Sequence, residues 1–196
     1  LKQRFKADKA IITSGTTEAI NLVAHAWGRA NLTDGDAIIL TEMEHHSDIV
    51  PWQMLAQEMN IELRYVPVQK DLTLDMEIFE AAIVGAKLVC VVHISNVLGV
   101  CNPIDDIIKI ANENGAKVLL DAAQSAPHQD INFNALGANF MAFSAHKMCG
   151  PTGIGALLVD NETFDQMQPF MGGGDMIETV SIYGSTYQRN EQKFEA

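Results

Sequence analysis

The run Lys87–Val92 (KLVCVV) is apolar from Leu88 onward, with no alternation between polar and apolar positions. A strand of this kind is covered on both faces, as in a parallel sheet with helices packed on either side. Ala37–Thr41 (AIILT), Val118–Leu120 before Asp121, and Phe140–Phe143 have the same character. Lys9–Thr13 (KAIIT), Ile61–Val66 (IELRYV) and Ile154–Val159 (IGALLV) read as further strands, the last a hairpin partner or neighbour of the Phe140 strand. Helical patterns separate them. Ile20, Val23, Ala24 and Trp27 make one apolar face, as do Ile104, Ile107, Ile108 and Ala111 in a helix begun by Asn102-Pro103 and ended by Gly115. Asp75–Val84 reads as helical, and Asn161-Glu162-Thr163 opens a short helix. Ser47 is expected to cap a helix through Trp52, Leu55 and Met59, with Pro51 in its first turn. Ile131–Leu136 is read as a connector. The expected fold class is therefore α/β: one domain with a mainly parallel sheet and helices on both faces.

Each predicted strand ends in polar residues. Ser14-Gly15-Thr16-Thr17 follows the first strand and precedes a helix, an arrangement that binds anions through free amides or serves as an ordinary cap. His45-His46 follows the second strand, Asn96 lies just past the Lys87 strand, and Asp121 with Gln124 ends the next. Ser144-Ala145-His146-Lys147 follows the Phe140 strand and leads into a loop with Gly150, Pro151, Gly153 and Gly155. A lysine after a buried strand, with a hydroxyl and an imidazole beside it, suits a Schiff-base lysine. Met171–Asp175 (MGGGD) is expected to be a flexible loop lining the same site. In an open parallel sheet such strand ends share one edge.

Composition narrows the ligand class. A net charge of −12 argues against nucleic-acid or anionic-membrane partners. No apolar run reaches the length of a membrane span, and no signal peptide opens the chain. Cys90, Cys101 and Cys149 fit no zinc spacing, which suggests a reducing, cytoplasmic setting without disulfides. Glu42 and Glu44 beside the histidine pair lack a well-spaced third ligand, so no metal is expected. The 196 residues open on Leu1 and stop at Ala196 without a closing element, so a fragment of a longer protein is expected.

One ligand could touch all these clusters if it carried a phosphate, a flat ring, a basic ring nitrogen and a carbonyl. Pyridoxal 5'-phosphate has all four. SGTTEAIN (Ser14–Asn21), EMEHHSDIVPWQ (Glu42–Gln53), HISNVLG (His93–Gly99), DAAQ (Asp121–Gln124), SAHKMCGPTGIG (Ser144–Gly155) and GGGDMI (Gly172–Ile177) occur in this order over nearly the whole chain. Together they resemble the class V aminotransferase-like, fold-type I pyridoxal phosphate enzymes. More narrowly they resemble cysteine desulfurases, with IVPWQ and GPTGIG favouring the SUF type and selenocysteine lyase as near kin.

The resemblance implies roles. Lys147 carries the cofactor covalently, Asp121 pairs with the ring nitrogen, and Gln124 bonds the ring hydroxyl oxygen. His45 stacks on the ring and assists proton transfer. Thr16, Thr17, Ser144 and His146 hold the phosphate, and Asn96 lies against cofactor or substrate. The family often has glycine at Ala122 and Ala145 and tyrosine at Cys149; Cys149 is read as structural. The mobile catalytic cysteine, the carboxylate-clamping arginine and the small C-terminal domain have no counterpart. Residues 1–196 are thus expected to be a partial cofactor-binding large domain. The implied activity converts L-cysteine to L-alanine plus enzyme-bound persulfide for iron–sulfur cluster assembly, in a homodimer that serves a sulfur-acceptor protein. The alternatives are a selenocysteine lyase, a cysteine-sulfinate desulfinase, or a non-catalytic binding module.

Overall fold

The structure is a computed structural model and describes residues 1–196. Seven strands form one sheet: β1 (Lys9–Thr13), β2 (Ala37–Thr41), β3 (Glu62–Val66), β4 (Ala86–Val92), β5 (Lys117–Asp121), β6 (Phe140–Ser144) and β7 (Gly155–Val159). Their order is β1-β7-β6-β5-β4-β2-β3. Only β7 runs against the others: it pairs antiparallel with both β6 and β1, so β1 points the same way as β6. The C-terminal ends of β1, β2, β4, β5 and β6 therefore share one edge, as the polar clusters require.

Successive residues of the central strands go to opposite layers. In β4, Leu88 and Cys90 join one core while Val89 and Val91 join the other; in β6, Phe140 and Ala142 oppose Met141 and Phe143. One layer holds α1 (Lys2–Phe5), α5 (Met76–Ala82), α6 (Ile104–Glu113) and α7 (Phe133–Leu136), seated through Phe5, Phe79, Ile107, Ile108 and Phe133. The other holds α2 (Thr16–Leu22), α3 (Arg29–Asn31), α4 (Val50–Met59) and α8 (Asn161–Gln166), seated through Ile20, Trp27, Trp52, Leu55 and Phe164. The helix after β1 keeps its expected apolar face. Its middle, Val23–Gly28, widens to a π-helix, with the Arg29 amide reaching back to the Ala24 carbonyl.

Several local expectations change. Ser47 does not cap α4: Ile49 is the N-cap, and His46–Asp48 forms a 3₁₀ turn capped by the His45 ring. The Ile131–Leu136 connector contains α7, begun by Asn132, whose side chain accepts the Ala135 amide. β8 (Ile177–Ser181) and β9 (Gly184–Tyr187) form a separate, mostly exposed two-stranded hairpin without the apolar alternation that marks a half-buried strand in sequence.

Gly155 is tied to its residue type by a close backbone approach. A Cβ there would lie 2.5 Å from the Gly15 Cα and 2.6 Å from the Phe143 carbonyl oxygen, because the turn after β1 lies directly on the start of β7. Ala122 and Ala145 have negative φ, so their methyl groups cost no backbone strain; Cys149 sits in the left-handed region at φ 60°.

Candidate active site

A cleft of about 210 Å³ opens at the shared strand edge. It is lined by Thr16 and Thr17 after β1, His45 after β2, Asn96 after β4, Asp121 and Gln124 at the end of β5, and Ser144, His146 and Lys147 at the end of β6. All nine predicted site residues are brought together there. Ser47, Val92 and Ala123 also line the cleft and were not predicted. Ser47 was visible only as a candidate cap, and the two apolar residues carry no signal beyond their positions next to strand ends. His46 stays out of the cleft, edge-on to His45 at 5.7 Å between ring centroids. The MGGGD loop lines no part of it; Gly173 lies against the C-terminal Ala196 instead.

The β1 end and the β6 end are joined directly. Ser144 Oγ accepts the Thr16 amide at 2.8 Å and shares a hydrogen bond with Thr16 Oγ1 at 2.7 Å. Gly15 is the N-cap of α2 and offers no side chain; Glu18 instead reaches back to the Ser14 amide. The amides of Thr17 and Glu18 donate to no group of the chain. Two free donors, hydroxyls and the His146 imidazole make this end suited to an anion.

Asp121 occupies the floor. It is buried, and burial raises its carboxyl above the usual range, against the Ala123 amide and the charge of Lys147. Its Oδ1 accepts the Ala123 amide at 2.8 Å, and no ion pair neutralises it. It heads no helix, since residues 123–128 form a turn. Lys147 is half-buried on the 3₁₀ turn Ala145–Met148 and is the only lysine in the cleft.

Beneath the cleft lies a carboxyl pair. Glu44 Oε1 accepts the Thr41 hydroxyl at 2.6 Å and the Val92 amide at 3.0 Å; Asp48 Oδ1 accepts the Trp52 indole N–H at 2.9 Å. The remaining oxygens, Glu44 Oε2 and Asp48 Oδ2, are buried with no hydrogen-bond partner. Two carboxyls buried in this way favour their protonated forms. Burial pushes Glu44 up to about 8, and burial with the charges of Glu44 and Asp121 raises Asp48 well above the carboxylate range. The folded protein thus holds protons that the unfolded chain loses near pH 4, and stability falls as pH rises from there toward 8. Asp48→Asn removes one such group and supplies an amide donor to Glu44. The variant should lose up to about 1.4 kcal/mol per pH unit of this slope and melt higher than the native chain near pH 8. Thermal unfolding across that range is the measurement; parallel curves for the two proteins would mean that Asp48 carries no proton.

None of the three cysteines lines the cleft. Cys90 is buried in β4, and Cys101 and Cys149 are exposed elsewhere; all are free thiols. Of the arginines, Arg4 pairs with Asp130, Arg29 with Glu58 and Arg64 with Glu62, and Arg189 also lies outside the cleft. No cluster of three or more His, Cys, Asp or Glu residues could hold a metal ion, and no helix is long and apolar enough to cross a membrane.

Residues 3–196 match the family described as aminotransferase class-V. The chain is 49% identical to a probable cysteine desulfurase of Halalkalibacterium halodurans over 189 residues, which is 96% of this chain and 47% of the relative. It is 47% identical to a cysteine desulfurase of Enterobacter sp. over 192 residues, 97% of this chain and 47% of the relative. Among solved structures it superposes on the Escherichia coli cysteine desulfurase CsdA with a TM-score of 0.96 at 36% identity, covering 100% of this chain and 50% of that one. The apo cysteine desulfurase of Thermococcus onnurineus NA1 gives a TM-score of 0.93 at 41% identity, with 100% and 49% coverage. The chain spans about half the length of the curated relatives it matches.

Proposed function

The chain belongs to the aminotransferase class-V family, and on that premise we propose that it is the cofactor-binding part of a pyridoxal phosphate-dependent cysteine desulfurase. One observation carries the reading: a buried carboxylate without a cation, Asp121, shares a cleft with the single lysine Lys147 and with free anion-binding donors. This donor set fits pyridoxal 5'-phosphate. When bound, the cofactor supplies an electron sink for charge developing at the substrate's α-carbon.

In this reading Lys147 holds the cofactor covalently, and its Nζ is the amine that can take or give a proton in the cleft. Asp121 neutralises the protonated ring nitrogen and keeps it protonated. Gln124 bonds the ring hydroxyl oxygen. Thr16, Thr17, Ser144 and His146 hold the phosphate, helped by the amides of Thr17 and Glu18, while His45 and Asn96 lie against cofactor or substrate. Val92 and Ala123 exclude water beside the ring.

The proposed substrate is L-cysteine and the products are L-alanine and a persulfide on an enzyme cysteine. Because no cysteine or arginine of this chain lines the cleft, both the sulfur-accepting thiol and the carboxylate clamp are assigned to residues outside it. We further propose the SUF-type branch, a homodimer, a cytoplasmic location, and delivery of sulfur to an acceptor protein for iron–sulfur cluster assembly. The branch rests on the IVPWQ and GPTGIG segments, and the rest on the resemblance to cysteine desulfurases.

The test compares a protein of the relatives' full length with the 196-residue chain. Each is loaded with cofactor and given cysteine and a reductant, and alanine and sulfide are measured. The longer protein should turn over, and the chain alone should stay at the rate of free pyridoxal phosphate. Turnover by the chain that Cys149→Ala abolishes would place the thiol inside it. Preference of the longer protein for selenocysteine or cysteine sulfinate would replace the proposed substrate.

A further inference from the structure

We infer that Ser47 is a positioning residue that holds His45 with its proton on Nε2, so that the ring offers the cleft a hydrogen-bond donor. The inference deepens the desulfurase reading and rests on it for what the donor meets. The Ser47 amide donates to His45 Nδ1 at 3.1 Å. A backbone N–H can only donate, so Nδ1 is the acceptor nitrogen and the neutral ring carries its proton on Nε2. Ser47 Oγ lies 3.0 Å from the same Nδ1, and Thr17 Oγ1 lies 2.7 Å from Ser47 Oγ. The hydroxyl chain then runs one way, Thr17 to Ser47 to His45, with both Ser47 donors converging on one ring nitrogen.

The local sequence explains the arrangement. His45 stands at the N-cap of the His46–Asp48 turn, where a side-chain acceptor two residues back meets the amide of Ser47. The turn is anchored from below by buried Asp48 and its bond to Trp52. Two consequences follow. Thr17 commits its hydroxyl proton to Ser47, so it serves an anion through its free amide. His45 meets a bound ligand as a neutral donor, and its partner in the cleft is an acceptor atom such as a carboxylate or ring-hydroxyl oxygen.

The experiment is long-range proton–nitrogen NMR on the full chain, labelled with ¹⁵N-histidine and free of cofactor, at neutral pH. His45 should show an unprotonated Nδ1 and a protonated Nε2. Ser47→Ala removes one of the two bonds to Nδ1 and should lower the ratio of the Nε2–H to the Nδ1–H form roughly three- to tenfold. Ser47→Thr keeps the hydroxyl and should restore the native ratio. A native ring protonated on Nδ1, an alanine variant with the native ratio, or a threonine variant that behaves like alanine would each overturn the inference. The spectrum needs neither cofactor nor substrate, so its outcome is separate from that of the sulfur-release assay.

Discussion

Replacing Lys147 with alanine is expected to abolish covalent cofactor attachment and to lower the turnover of the full-length protein by about a thousandfold or more, roughly 4 kcal/mol of barrier. No other lysine lines the cleft, so no neighbour can take its place. Borohydride reduction of the loaded native protein, followed by peptide mapping, should leave the pyridoxyl label on the peptide that contains Lys147. Label on Lys109 or Lys117, which lie on α6 and at the start of β5, would remove the central assignment. The fold should tolerate the change. Lys147 is half-buried on a one-turn 3₁₀ segment and takes part in no ion pair.

Asp121→Asn should lower turnover by about a hundred- to a thousandfold while changing cofactor occupancy far less, the scale of losing one preorganised charge at a reacting group. Its effect on stability should have the opposite sign. Burial raises the Asp121 carboxyl, so the cofactor-free folded protein binds its proton more tightly than the unfolded chain does. The stability this group contributes is present at low pH and is lost as pH rises through its folded-state value. Asparagine carries no such charge and can still accept the Ala123 amide through Oδ1. The cofactor-free variant should therefore melt at or above the native temperature near neutral pH. Stability given up for function in this way marks a site residue. Unchanged turnover together with a lower melting temperature would show instead that Asp121 only caps the turn after β5.

Asp48→Asn adds a contrast. It too replaces a buried carboxyl by an amide, but beneath the cleft floor and away from the ligand. Its expected signature is a change in the pH dependence of stability, whereas Asp121→Asn is expected to change rate. The two variants thus separate the carboxyl that faces the cleft from the one that supports it.

Much of this molecule was legible in the chain because the determining physics is local. A strand covered on both faces must be apolar throughout, so β2, β4, β5 and β6 could be read within a residue or two of their observed bounds. A helix against a sheet must repeat its apolar residues every three or four positions, so the buried faces of α2 and α6 were visible. Polar residues at the ends of such strands have one common edge to occupy, and for that reason the nine polar residues that line the cleft could be named as a group before their geometry was known.

What only the tertiary structure decided depends on contacts between segments far apart in sequence. The apolar content of β7 is compatible with either direction; its pairing with both β6 and β1 brings Thr16 within hydrogen-bonding distance of Ser144, 128 residues away. Ser47 has the composition of a helix cap, and it became a partner of His45 and Thr17 because β1 and β2 deliver their ends to the same cleft. Glu44 and Asp48 look like solvated charges in sequence. Their partners Thr41, Val92 and Trp52 come from three different elements, so only the assembled fold could show that burial raises both carboxyls. The glycine-rich loop after α8 has the flexibility of a site loop, but chain flexibility is a local property and position relative to the cleft is not, so the fold places that loop elsewhere.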